Sequence, residues 1–205
     1  MFITFEGPDG SGKSTQIKLL AERLRAEGHN VLLTREPGGT EIGEQIRHVL
    51  HDLKNKAMQP RAELLLYSAA RAQLVGQVIQ PHLAVGGVAL SDRYFDSTFA
   101  YQGYGHGLDL AALRAITAFA TNGLTPNLTL LFDIDAETGL RRRQANAAEW
   151  NRLDDYALEF HARVRAGYLE LMKQEPARWV KLDAAQNVEA LEAEVWQVVK
   201  ARLGS

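Results

Sequence analysis

Gly7-Pro8-Asp9-Gly10-Ser11-Gly12-Lys13-Ser14 concentrates more potential chemistry than any other stretch of this sequence. It fits the full G-x-x-x-x-G-K-[ST] pattern and lies between a strand-like run and a helical one, as that pattern requires. Glycines at 7, 10 and 12 let the backbone turn sharply, so that successive N–H groups converge on phosphate oxygens. A helix beginning near Lys13 turns its unpaired N–H groups and its positive end toward the same anion. Lys13 then reaches β- and γ-phosphates, and the Ser14 hydroxyl is placed for Mg²⁺. Asp9 would repel a triphosphate unless it is directed elsewhere, toward an acceptor sugar hydroxyl or the metal shell. A plain turn-forming Asp is the alternative. The loop implies nucleotide binding and phosphoryl transfer and leaves the acceptor open.

Three further segments are unlike packing material. Thr34-Arg35-Glu36-Pro37-Gly38-Gly39-Thr40 follows a strand-like run, and in open parallel sheets ligands gather beyond the carboxyl ends of strands. Arg35 there could hold an acceptor phosphate that Glu36 orients; a solvated glycine–proline turn would explain the same residues. Tyr67 and Arg71 stand four apart in a helical pattern and therefore share a face. A planar base could stack on Tyr67 while Arg71 reaches its phosphate, although a Tyr at a core edge is the commoner meaning. Asp92-Arg93-Tyr94, followed by Ser97, Thr98, Tyr101 and Gln102, stands at another strand end. Asp92 is suited to a Mg²⁺ shell, Arg93 to phosphate, and the hydroxyls and amide to base edges; a turn or cap is the alternative for Asp92.

A fourth region concerns closure. Arg141, Arg142 and Arg143 precede a polar, alanine-rich stretch, and Arg152 follows it. A mobile segment carrying arginines can exclude water and bring positive charge to transferring oxygens. A solvated helix face would look the same.

The elements that must position these residues are short apolar runs separated by helical patterns. Strands are expected over 1–5, 30–34, 88–90, 128–134 and 179–182. Helices are expected over 13–28, 41–53, 61–80 (limited by Pro81) and 111–120. A long amphipathic helix runs through Tyr156, Phe160, Val164, Tyr168 and Leu171, and a terminal one through Val188 to Val199. Short strands apolar on both faces and alternating with helices mark an α/β fold, a five-stranded parallel sheet flanked by helices. Pattern alone does not order the strands.

Composition bounds the rest. The chain has 205 residues, 46% apolar and 23% charged, with formal net charge -2. That is one domain of a soluble type, without the global basic surface of a protein that wraps duplex nucleic acid. No polynucleotide partner is expected. Sixteen of the 23 basic residues are Arg, whose planar fork suits bidentate phosphate contacts. There is no cysteine, which removes disulfides, thiolate chemistry and cysteine-held metals. The first residues lack the pattern of a signal peptide, and no run of about 18 apolar residues could cross a bilayer. A cytoplasmic location without membrane contact is the expectation.

Taken together, these segments resemble the bacterial thymidylate kinase family over essentially the whole chain. The resemblance rests on Phe5 to Thr15, on Thr34 to Thr40, on Leu64 to Val75, and on Asp92-Arg93-Tyr94 with Ser97 and Ala100-Tyr101-Gln102-Gly103. It implies a nucleoside-monophosphate-kinase fold in a single domain over 1–205, a lid segment at about 141–153, and a homodimer. Lys13, Ser14 and Thr15, with Gly7, Pro8, Asp9, Gly10, Ser11 and Gly12, would form the donor phosphate site. Arg35, Arg71 and Arg93 would hold the dTMP phosphate, with Glu36 and Ser97 beside them. Asp9 would lie at the acceptor's 3′-hydroxyl and Tyr67 would stack on thymine. Thr98 and Gln102 would read the base, and Tyr101 would crowd the sugar's 2′ position. Gly10 stands where one group of relatives carries an Arg, so the catalytic cation would come from the lid. Arg142 and Arg152 are the candidates to join Lys13 and Arg93 in catalysis. Two departures stand out: Asn151-Arg152-Leu153-Asp154 where the family more often has acidic, Arg, apolar and Glu residues, and Asn127 in place of a common Asp.

Such an enzyme would transfer the ATP γ-phosphoryl to an acceptor phosphate in line, with Mg²⁺. A phosphomonoester is already ionised near neutral pH, its second pKa being about 6, so no strong base is needed. The rival of the same class is a kinase for another nucleotide or for a nucleoside, for which Glu6 would be the candidate base. The rival of another class is a non-enzymatic nucleotide switch or a nucleic-acid-associated ATPase. The guanine-specific Asn/Thr-Lys-x-Asp pattern of a GTP switch is absent from the sequence.

Overall fold

A computed structural model describes residues 1–145 and 151–204. Strand β1 (Phe2–Glu6) is buried along its whole length, and its side chains alternate between two cores as a strand's must. Phe2 packs with Leu74, Tyr94, Phe99, Tyr168 and Trp179 on one face. Ile3 and Phe5 pack with Ile17, Leu20, Leu24, Leu130, Phe132 and Val195 on the other. The remaining strands are β2 (Val31–Arg35), β3 (Val88–Asp92), β4 (Leu128–Asp133) and β5 (Trp179–Asp183). All pair in parallel in the order β2-β3-β1-β4-β5.

The second core is closed by α1 (Lys13–Ala26) and α9 (Val188–Leu203). The first is closed by α3 (Pro60–Leu74), α6 (Leu110–Thr121) and α8 (Leu158–Gln174). Shorter helices complete the chain: α2 (Glu41–His51), α4 (Gln80–Ala84), α5 (Phe95–Thr98) and α7 (Ala136–Gln144). Parallel register places the ends of three strands side by side, with Arg35 opposite Asp92 and Asp92 opposite Phe5. The turns that follow β1, β2 and β3 therefore open on one edge, and β1 lies where the strand order reverses, the place such sheets reserve for ligands.

Two boundaries differ from expectation for physical reasons. The helix expected to stop at Pro81 ends at Leu74 and passes through a π turn (Val75–Ile79) into α4. Pro81 then falls in the first turn of α4, where a missing N–H costs nothing. A second π turn covers Phe99–Gly105, a segment with no clear periodicity in the sequence. Wider turns of this kind cluster at functional sites, and this one carries Tyr101 and Gln102.

Candidate active site

The turn between β1 and α1 is shaped by what lies behind it. Gly7, Gly10 and Gly12 all have positive φ, which other residues rarely adopt. A side chain at Gly7 would collide with the Phe132 carbonyl, and one at Gly10 with the Gly139 carbonyl of α7. The loop is thus pressed between β4 and α7. Gly12 caps α1 without a side-chain hydrogen bond, and no acidic residue stands in the first turn. The first N–H groups of the helix therefore keep the anion-binding character of a bare N-terminus.

Lys13 is buried and folds back along the loop, donating to the Gly7 carbonyl at 3.0 Å and the Pro8 carbonyl at 2.8 Å. Burial, followed by the charge of Arg93, lowers its pKa to about 8. The Ser14 hydroxyl donates to Asp92 Oδ2 at 2.6 Å, so the two residues expected around Mg²⁺ meet across the edge of the sheet. Among the described residues no group of three or more His, Cys, Asp or Glu could cage a metal. Mg²⁺ commonly takes only one or two protein oxygens and completes its shell with water and substrate phosphates. A hydroxyl and a carboxylate at the mouth of a phosphate loop fit that donor set.

Arg93 holds the centre. It sits just past β3 with φ 70, a left-handed conformation costly for a non-glycine residue and kept where surroundings enforce it. Its guanidinium donates to Asp9 Oδ1 at 2.8 Å, to Ser97 and Tyr168 hydroxyls at 3.0 Å each, and to Tyr101 at 3.2 Å. Burial alone would raise the Asp9 pKa; the charges of Arg93, Lys13 and Arg143 outweigh it and hold that carboxyl well below the usual range. Beneath this cluster lies Glu6. It accepts from the Tyr94 N–H at 2.7 Å, the Ser97 hydroxyl at 2.6 Å and the Tyr168 hydroxyl at 3.0 Å. Both its oxygens are engaged, so Glu6 is a support for the Arg93 turn rather than a base facing an acceptor hydroxyl.

Arg71 reaches the site from α3. It is 1% exposed and forms a fork with Glu36, Nε to Oε2 at 2.9 Å and NH2 to Oε2 at 2.6 Å. Burial would lower the Arg71 pKa, but Glu36 more than offsets it and raises it. The third nitrogen, NH1, is buried and has no partner among the described residues. A buried cationic donor without an acceptor is costly, and an anion in the cavity would satisfy it. Thr98 Oγ1 is likewise buried and unpartnered. Arg35 is half exposed and pairs with Glu44 at 3.0 Å.

These residues line one cavity of about 1040 Å³. It brings together Asp9, Gly10, Gly12, Lys13, Ser14 and Thr15 with Arg35, Glu36, Tyr67, Arg71, Asp92, Arg93, Ser97, Thr98, Tyr101, Gln102 and Arg142. Gly7, Pro8 and Ser11 shape the loop from behind and do not line it. Arg142 edges the cavity while donating to the Ala184 carbonyl at 2.9 Å. Arg143 also lines it and pairs with Asp154. Arg152 is not brought to the cavity. It is buried against Glu63, the Tyr156 hydroxyl and the Leu50 carbonyl. Of the lid segment expected at 141–153, residues 146–150 lie outside the described residues.

Both departures from the family pattern find partners. Asn151 caps the turn Arg152–Asp155 in a capping box with Asp154, and Asp154 carries Arg143. Asn127 Oδ1 accepts from the Phe2 N–H at 2.7 Å, tying the start of β4 to β1.

Sequence reasoning missed Glu63 and the functional side of Tyr168, and passed over Arg47 and His51 in the cavity wall. Glu63 had a signal, since positions 63, 67 and 71 form one helical stripe. Tyr168 looked like core, and its ring is core; only its hydroxyl serves the site. Burial and then the Arg47 charge lower the His51 pKa to about 4, so it is neutral at physiological pH.

The family model described as "Thymidylate kinase" matches residues 5–195. A protein named thymidylate kinase from a Roseiflexus species is 55% identical over all of this chain and 96% of its own length. One from Deinococcus radiodurans is 51% identical over 98% of this chain and 97% of its own. Among solved structures, thymidylate kinase from Ehrlichia chaffeensis superposes with a TM-score of 0.80 at 35% identity, covering 98% of each chain.

Proposed function

This chain belongs to the thymidylate kinase family and phosphorylates dTMP, and from that premise we propose how the residues of the cavity divide the work. ATP is the donor, its phosphates held by the loop N–H groups, Lys13, Ser14 and Thr15. Ser14 and Asp92 would hold Mg²⁺, which would supply positive charge to offset that of the phosphates. Arg71 NH1 is the observation that carries the acceptor side: a buried guanidinium nitrogen with no hydrogen-bond partner among the described residues, on a side chain that lines the cavity. Arg71, Arg93 and Arg35 fix the dTMP phosphate, with Glu36 and Ser97 holding the first two in place. Tyr67 stacks on the base, Thr98 and Gln102 read it, and Asp9 meets the sugar's 3′ side near Tyr101.

One oxygen of the dTMP phosphate attacks the γ-phosphorus of ATP; the bond to the β-bridging oxygen breaks, giving dTDP and ADP. The acceptor is already an anion, so these residues align and neutralise charge rather than remove a proton. Arg142, which lines the cavity from α7 together with Arg143, is the lid cation we assign to this task. At Gly10 and Gly139 the phosphate loop and α7 approach closely, so α7 bears directly on the loop. The full engagement of Glu6 speaks against a nucleoside kinase.

A cytoplasmic homodimer completes the proposal. Ile42 and Val49 on α2, Leu65 on α3 and Phe119 on α6, the last 91% exposed, offer apolar surface on helices that pack side by side. A coupled ADP-release assay across dTMP, dUMP, UMP, CMP, AMP and thymidine tests the acceptor. Strong preference for dTMP is expected; preference for AMP or CMP would sink the assignment.

A further inference from the structure

Gln102 lies in the cavity wall on the π turn, 2% exposed. Its Nε2 donates to Glu63 Oε1 on α3 at 2.6 Å, and Glu63 is itself 1% exposed. The other Glu63 oxygen takes the Arg152 guanidinium, and His106 Nε2 lies 3.4 Å from Oε1. An ionised carboxylate only accepts hydrogen bonds, so the amide of Gln102 can meet it in one way, NH₂ first. Gln102 Oε1 takes no hydrogen bond from any described residue. Four positions earlier on the same helical stretch, Thr98 Oγ1 is also without a partner. The wall therefore presents a carbonyl whose orientation has been decided from behind.

We infer that Glu63 is a specificity-determining positioning residue. By fixing which end of the Gln102 amide faces the cavity, it selects a base with a ring N–H over one with a bare ring nitrogen. The inference rests on the proposed placement of the base at Thr98 and Gln102. Thymine and uracil carry a donor at N3, which Gln102 Oε1 accepts. Cytosine carries an acceptor at N3, so two acceptors would oppose each other with water excluded, and each would lose its hydrogen bond. Sites built to hydrogen-bond a substrate group reject analogues lacking it by about 10⁴-fold. Glu63 touches no base. Arg152, within the expected lid segment, keeps its carboxylate charged and in place, which links the lid anchor to base recognition.

The test is Glu63→Gln, assayed with dTMP and dCMP as acceptors. The charged Arg152 will claim the single carbonyl of the new side chain, leaving its NH₂ toward Gln102. Gln102 must then turn its own carbonyl inward and its NH₂ into the cavity. The ratio of kcat/KM for dTMP over dCMP is expected to fall by at least about a hundredfold, with the KM for ATP unchanged. A loss shared equally by both acceptors would mean that Glu63 is only structural, and would overturn the inference. Gln102→Leu, run in parallel, is expected to raise the dTMP KM by at least about tenfold. An unchanged dTMP KM there would show that the base does not lie at Gln102, so the underlying placement would be at fault. Wild-type enzyme gives a reading independent of whether Glu63→Gln folds. With dTMP labelled with ¹⁵N at N3, the bound imino proton should be protected from exchange, and free exchange would overturn the inference.

Discussion

The two sides of the cavity are built on different principles. On the proposed acceptor side, the side chains assigned to recognition are held from behind by buried carboxylates: Arg71 by Glu36, the Arg93 turn by Glu6, and Gln102 by Glu63. On the donor side the scaffold is backbone. Glycines with positive φ shape the loop, Lys13 rests on loop carbonyls, and α1 offers bare N–H groups. The difference follows from what each side must discriminate. Phosphates look alike from many directions, and a nest of N–H groups suits them. A particular base and a single phosphate require side chains with fixed orientation, and a buried carboxylate fixes an arginine or an amide at the cost of desolvation.

The largest effect should come from the donor side. Lys13→Ala removes the cation from the loop and is expected to lower kcat by at least about a hundredfold. Steady-state kinetics would read this with little change in the dTMP KM. A change confined to the dTMP KM would break the division between the two sides.

Arg71→Ala should cut on the acceptor side. kcat/KM for dTMP is expected to fall by about ten- to a hundredfold, the worth of a charged hydrogen bond, with ATP binding retained. It also strands Glu36 in the interior, so denaturant melts should show a stability loss of about 3–5 kcal/mol. If ATP affinity falls as far as dTMP affinity, Arg71 does not belong to one side alone.

The smallest effect sharpens the comparison by pH. Burial, then the Asp96 charge, raises the Glu6 pKa to about 7. Between the ordinary carboxylate range and that value, the folded protein holds a proton that the unfolded chain has released. This contribution to stability is complete at low pH, declines as pH rises toward 7 and is lost above it. Glu6→Gln has no such titration. Melting temperatures at about pH 5 and about pH 8 should fall more steeply for wild type than for the variant. Parallel profiles would mean that Glu6 does not titrate there.

Much of this was legible in the residues, unevenly. The phosphate loop could be read from spacing because its chemistry is local: backbone N–H groups and Lys13 lie within a few residues of each other. The five strands could be read because each is short, apolar and bounded by turns, although the ends of β2 and β3 were placed short. Past Leu74 the pattern misleads, since Pro81 has the look of a helix stop while a π turn places it in a new first turn. Arg71 and Tyr67 were found through their helical spacing. Glu63, on the same stripe, is not marked by the sequence because its partners, Gln102 and Arg152, come from 39 and 89 residues away.

The parallel α/β class, the phosphate-binding turn and a set of arginines able to hold phosphate are written in the residue pattern. These follow from backbone geometry and hydrophobic period, which act over a few residues. The fold alone sets which carboxylate holds which side chain of the cavity, that Glu6 supports the Arg93 turn, and that Arg152 pairs with Glu63. Those outcomes depend on parallel register bringing three strand ends together. They also depend on burial, which forces each charge to find a partner wherever the fold has placed one.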